Sequence, residues 1–124
     1  EVFGSEVERR QEIADRYSIA LSGLLETPAV AADCRSVWAQ YTVQVDDRER
    51  VRDELLQAGV PTAVFYRQPL HEALAYRSNP VVPGGVSVAE RISKRVVSLP
   101  MHAYLGEAEQ DQVVSAIRKV IDPS

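Results

Sequence analysis

The chain has 124 residues, 45% hydrophobic and 26% charged, with a formal net charge of −4. That is the size of one ordinary domain, able to bury a core without disulfides or metals. The acidic balance argues against a nucleic-acid surface, the single Cys34 rules out an intrachain disulfide or a cysteine metal cluster, and no apolar run approaches a membrane span.

The N-terminal segment lacks a signal peptide's apolar centre and does not open with Met, so a fragment or processed product of a cytoplasmic protein is expected. From Ser5 to Leu24, apolar residues recur in steps of three, four and seven through Val7, Ile13, Tyr17, Leu21 and Leu24. This spacing predicts a one-faced amphipathic helix, with Glu8, Glu12 and Arg16 on the other side. Residues 26–36 read as a loop. Val37 to Val45 then alternates, with Val37, Ala39, Tyr41, Val43 and Val45 on one face, which predicts a strand. Asp46, with Glu49 three residues on, predicts a capped helix lined by Val51 and Leu55 and stopped by Gly59 in the left-handed position.

A second strand is expected from Val60 to Tyr66, with Val64 and Tyr66 on one face and Phe65 on the other. Its exit is unusual. Instead of small turn residues it runs into Arg67, Gln68, Pro69, His71 and Tyr76. Asn79 to Gly85 reads as a loop, and Ser87 with Glu90 as a capping box opening a short helix. Val96 to Leu99 predicts a third strand, and Glu107 to Ile121 a final helix with the stripe Val113, Ala116, Ile117 and Val120. The order predicts an α+β two-layer sandwich, a three-stranded sheet with helices mainly on one face.

The chemistry legible in the residues is incomplete. His71 and His102 belong to no catalytic pattern and lack zinc-ligand spacing, and phosphate-binding glycine motifs are absent. The carboxylates read as solvated helix faces. No metal site and no catalytic residue is expected here. The polar-aromatic stretch from Tyr66 to Tyr76 reads as a rim that another domain or chain completes. A stand-alone small-molecule-binding or protein-interaction module would share this composition.

Three segments carry a family resemblance: "EVERRQEIADRYSIALSGL", "SVWAQYTVQVDDRERVRDELLQAGVPTAVFYRQPLHEALAY" and "VAERISKRVVSLPMHAYLGEAEQDQVVSAIRKVI". In this order they resemble the C-terminal small domain of DegT/DnrJ/StrS-type sugar aminotransferases. Residues 1–124 then form that single small domain, with helix 5–24 leading in from an N-terminal domain. The resemblance implies a homodimeric, pyridoxal-phosphate-dependent enzyme that moves an amino group from glutamate to a nucleotide-linked keto-sugar. The wording is most similar to the branch making 3-amino UDP-sugar uronates for bacterial surface polysaccharide. It implies Phe65, Tyr66, Arg67, His71 and Tyr76 as substrate-side residues. Lys94 does not match the family's Schiff-base lysine motif, so the chain by itself is expected to bind no cofactor and to be inactive. Where many members have His before the Tyr, this chain has Phe65, which cannot donate a hydrogen bond. Either Arg67 takes over anion binding or that contact is lost.

Overall fold

The computed structural model describes residues 2–122. Four helices and two strands follow in order: α1 (Val2–Leu21), β1 (Tyr41–Gln44), α2 (Arg48–Gln57), α3 (Ser87–Ser93), β2 (Val96–Leu99) and α4 (Glu107–Ile121), with a 3-10 turn at Leu70–Glu72 before α3.

The core forms where the apolar stripes meet. Ile13, Ala14, Tyr17 and Leu21 of α1, Val51 and Leu55 of α2, and Val113, Ala116, Ile117 and Val120 of α4 pack on Tyr41, Val43, Val97 and Leu99 of the strands. Polar groups drawn into this layer are paired, as burial requires. Gln110 is fully buried and donates from Nε2 to the Ile13 carbonyl at 3.0 Å. The Tyr17 hydroxyl donates to the Pro100 carbonyl at 3.1 Å, and the Tyr41 hydroxyl lies 2.8 Å from Ser18 Oγ. Burial, with Tyr41 close by, pushes the Tyr17 phenol well above its usual value. The Tyr41 phenol is raised for the same first reason.

The strands are antiparallel, with Tyr41 opposite Leu99 and Val43 opposite Val97. Among the described residues the sheet has these two strands, not the three expected. The segment predicted as a strand from Val60 to Tyr66 contributes one antiparallel bridge, in which Ala63 exchanges both backbone hydrogen bonds with Ser98. Pro61 brings no N–H to extend the ladder one way, and the chain turns at Phe65 and Tyr66 the other way. Ser98 and Val96, alternating with the core residues Val97 and Leu99, face away from the helical layer, where Val96 lines a groove of about 640 Å³.

Four local expectations also shift. The first helix, expected over 5–24, runs Val2–Leu21, because the chain turns at 22–24 with Gly23 in the left-handed region (φ 76°). The first strand begins at Tyr41, because Trp38 takes a left-handed backbone (φ 48°) that reverses the alternation. Trp38 is buried while Val37 and Ala39 are exposed, and its indole donates to Gln11 Oε1 at 2.9 Å. Helix α2 is capped by Asp47 rather than Asp46, and α3 begins after Val86 without a side-chain cap. At the end of α2 Gly59 (φ 78°) closes the helix as the sequence predicts: its N–H donates to the Leu56 carbonyl and that of Val60 to the Leu55 carbonyl.

Candidate functional site

The polar exit of the second expected strand is an exposed turn beside α3. The 3-10 turn at Leu70–Glu72 starts from Pro69, whose φ of −62° suits the entry, and is closed by hydrogen bonds from Glu72 and Ala73 to the Pro69 and Leu70 carbonyls. Pro69 and Leu70 form a ridge between two grooves. The larger, of about 640 Å³, is walled by Phe65, Tyr66 and Arg67 on one side and by Ala89, Ile92 and Val96 on the other. The smaller, of about 490 Å³, is bordered by His71, Tyr76 and the loop residues Val81 and Val82.

All five sequence-predicted residues therefore come together, three on one groove and two on its neighbour. Phe65 and Tyr66 border the same groove rather than opposite faces, because the extended alternation has ended at this turn. Their rings meet edge to face at 6.0 Å, and Tyr66 remains 76% exposed. A phenol standing at an apolar wall suits packing on a sugar or base and hydrogen bonding to its edge.

Two residues expected in other roles line neither groove but contact residues that do. Glu90 was expected to cap α3; instead its Oε1 lies 3.0 Å from His71 Nε2 and ties the 3-10 turn to α3. The donor atoms of His71, Glu72 and Glu90 gather within 4.8 Å, the grouping among the described residues with the chemistry for a cation, yet His71 and Glu90 already satisfy each other. Glu49 was read as a capping carboxylate on a solvated helix. It accepts from Arg48 Nε at 2.9 Å and Arg52 Nη1 at 3.0 Å, and lies 3.6 Å from Arg67 Nη1. The Arg48 hydrogen bond, with the charges of Arg48, Arg52 and Arg67, holds its carboxyl below the usual carboxylate range. No periodicity signals the His71–Glu90 and Arg67–Glu49 pairings, which join segments distant in sequence, whereas Glu49 with Arg52 is an ordinary i, i+3 helical pair.

Neither lysine lies at these grooves. Lys94 is exposed just past the end of α3, and Lys119 borders a separate cavity beside Gly23 and Leu24. The larger groove and its neighbour are therefore lined by no lysine. What they supply is a wall with aromatic, cationic and imidazole groups.

Comparison with known proteins identifies the family. Residues 2–118 match the DegT/DnrJ/EryC1/StrS aminotransferase family. The chain is 37% identical, over 94% of its length, to UDP-2-acetamido-2-deoxy-3-oxo-D-glucuronate aminotransferase of Pseudomonas aeruginosa, and covers 32% of that protein. It is 31% identical over 90% of its length to dTDP-3-amino-3,4,6-trideoxy-alpha-D-glucose transaminase of Streptomyces venezuelae, covering 30% of it. Its fold superposes with a TM-score of 0.91 and 40% identity on a crystal structure of a DegT DnrJ EryC1 StrS aminotransferase from Brucella abortus, spanning 94% of this chain and 31% of that one. It spans about a third of the length of the relatives it matches. The chain belongs to the DegT/DnrJ/EryC1/StrS aminotransferase family.

Proposed function

We propose that this chain is the C-terminal small domain of a pyridoxal-phosphate-dependent sugar aminotransferase, and that its two grooves form one wall of the substrate site. The observation that carries the reading is the match of residues 2–118 to the family together with the convergence of Phe65, Tyr66, Arg67, His71 and Tyr76 on adjoining grooves. The cofactor, when bound, supplies the electron sink that lets an amino group move between donor and keto-sugar. The amine and phosphate cradle that hold it belong to the rest of the enzyme.

The residues here do different work. Tyr66 offers an aromatic face and a phenol to a sugar. Arg67 offers a planar fork of donors to a diphosphate or a uronate carboxylate. His71, held through Nε2 by Glu90, keeps its ring in one orientation at the edge of the second groove. Phe65, bare of donors, shapes the wall. The substrate we assign is a UDP-linked 3-keto-hexuronate, with glutamate as amino donor, in a cytoplasmic homodimer serving surface-polysaccharide synthesis. The likeness to the Pseudomonas aeruginosa enzyme supports this choice.

The experiment is an amino-transfer assay of the full-length protein with glutamate and a set of UDP- and dTDP-linked keto-sugars. The UDP-linked 3-keto-uronate is expected to be aminated fastest. Preference for a dTDP-linked sugar would overturn the substrate, and failure to aminate any nucleotide-linked sugar would overturn the function.

A further inference from the structure

One imidazole and two carboxylates converge where the 3-10 turn meets α3. His71 Nε2 and one carboxylate oxygen each from Glu72 and Glu90 lie within 4.8 Å of one another. The closest pair, His71 Nε2 and Glu90 Oε1, is 3.0 Å apart. Bonds of about 2.1 Å to a common ion set neighbouring ligand atoms about 3.0 Å from each other at right angles and about 3.4 Å at the tetrahedral angle. The His71–Glu90 spacing is thus already that of two ligands on one ion, and a rotation of the Glu72 side chain brings in the third. The local charge is unbalanced. The Glu72 carboxylate has no hydrogen bond or ion pair among the described residues, and the nearby Arg77 donates from Nε to the Glu72 backbone carbonyl instead, at 3.0 Å. The His71 side chain is 25% exposed and that of Glu90 42%, so the pair is partly shielded from water.

We propose that His71, Glu72 and Glu90 form a site for a divalent transition-metal ion, zinc above all, which fastens the 3-10 turn to α3 beside the smaller groove. An imidazole nitrogen with two carboxylates suits zinc better than magnesium, which prefers an all-oxygen shell and gives up water reluctantly. Two ionised carboxylates beside a neutral imidazole balance the charge of one such ion. The ion takes the place of the proton lying between His71 Nε2 and Glu90 Oε1, and the neutral ring keeps its proton on Nδ1. Three protein ligands leave a fourth position to water. Histidine spacing excludes a site built on His71 and His102, and it could not show this one, because Glu90 reaches His71 from 19 residues further along the chain. The site goes beyond the proposed amino transfer and does not depend on it.

The test is calorimetric titration of the full-length protein, first stripped with a chelator, using zinc chloride and separately magnesium chloride. Zinc is expected to bind at a site whose affinity falls about tenfold or more in both Glu72→Gln and His71→Ala, since loss of a mere supporting partner around a metal already costs that much. Zinc should also raise the melting temperature of the parent protein and leave that of Glu72→Gln in place. Glu72→Gln carries the most weight, because the Glu72 side chain holds nothing in the metal-free fold and its loss should not change the melting temperature without zinc. Absence of zinc binding would overturn the site. So would equal zinc affinity in the parent and Glu72→Gln, even if His71→Ala binds more weakly, or magnesium binding as tight as zinc. None of these readings involves amino transfer, so a protein that aminates no sugar but binds zinc through these residues would refute the enzyme and keep the site.

Discussion

Arg67 and Tyr17 show how differently one residue can matter in this molecule. Arg67 is exposed and tied to the fold by one long ion pair, so its removal should cost little stability. In the full-length enzyme, Arg67→Ala should raise KM for the nucleotide sugar about ten- to a hundredfold and leave that for glutamate near its starting value, with a shift in stability of about 0.5 kcal/mol or less. Steady-state kinetics and a melting curve check both halves; unchanged kinetics with a large drop in melting temperature would make Arg67 structural. Tyr17 is the opposite case, buried and hydrogen-bonded to the Pro100 carbonyl. Tyr17→Phe should cost about 1 kcal/mol at neutral pH, measured by urea denaturation. Its phenol is raised in the folded chain, so the unfolded chain releases the proton first as pH climbs. Stability is therefore complete below the ordinary phenol value near 10 and declines above it. Tyr17→Phe should flatten that alkaline decline. Tyr17 was legible as a core position from helical spacing, whereas its hydrogen bond to a residue far along the chain was not.

At the scale of elements, α4 and β2 occupy the residues their patterns predict, Glu107–Ile121 and Val96–Leu99. A stripe repeating over four turns and a short apolar run ended by Pro100 leave little alternative. Helix α2 ends where Gly59 demands, and Gly59→Ala gives a clean measure of that stop. A Cβ there would meet only Gln112 Nε2 at 3.5 Å, an ordinary contact, so the cost is backbone strain at φ 78° rather than a clash. A loss of about 1–2 kcal/mol is expected by urea denaturation. A loss below a few tenths would mean that the left-handed turn is not required. The misread elements share a cause. Local alternation at Val37–Val45 and Val60–Tyr66 is compatible with longer strands, but pairing stops where Trp38 is drawn against α1 and where the chain turns at Phe65. Glu90, suited locally to a cap, is claimed by His71.

Taken whole, the molecule leaves large apolar side chains in solvent, among them Tyr66, Leu70 and Val82 at its grooves and Leu74 and Val88 close by in sequence. Such surface on a small chain marks an interface. Sedimentation of the 124-residue chain should show self-association that weakens when Leu70 and Leu74 are both replaced by Ser. A strictly monomeric chain at high concentration would contradict an interface there. The absence of a groove-side amine leads to a further expectation. Mixed with pyridoxal phosphate, this chain should give no stoichiometric aldimine absorbance; a band that disappears in Lys94→Ala would refute that.

The sequence by itself determined that four helices form, the core stripe, the stop at Gly59 and the family, because these depend on periodicity and on residue order along the chain; the ends of α1 and the caps of α2 and α3 it did not. It also marked Phe65, Tyr66, Arg67, His71 and Tyr76 through their resemblance to that family. Only the tertiary structure decided that these five divide between two grooves across the Pro69–Leu70 ridge, that Glu90 holds His71, and that Arg67 comes to Glu49. It also decided that a third strand shrinks to one bridge at Ala63 and Ser98. The physical reason is common to all of them. Periodicity records which face of an element is buried, while the partner of a polar or charged side chain is set by whatever distant segment the packed core brings within hydrogen-bond reach.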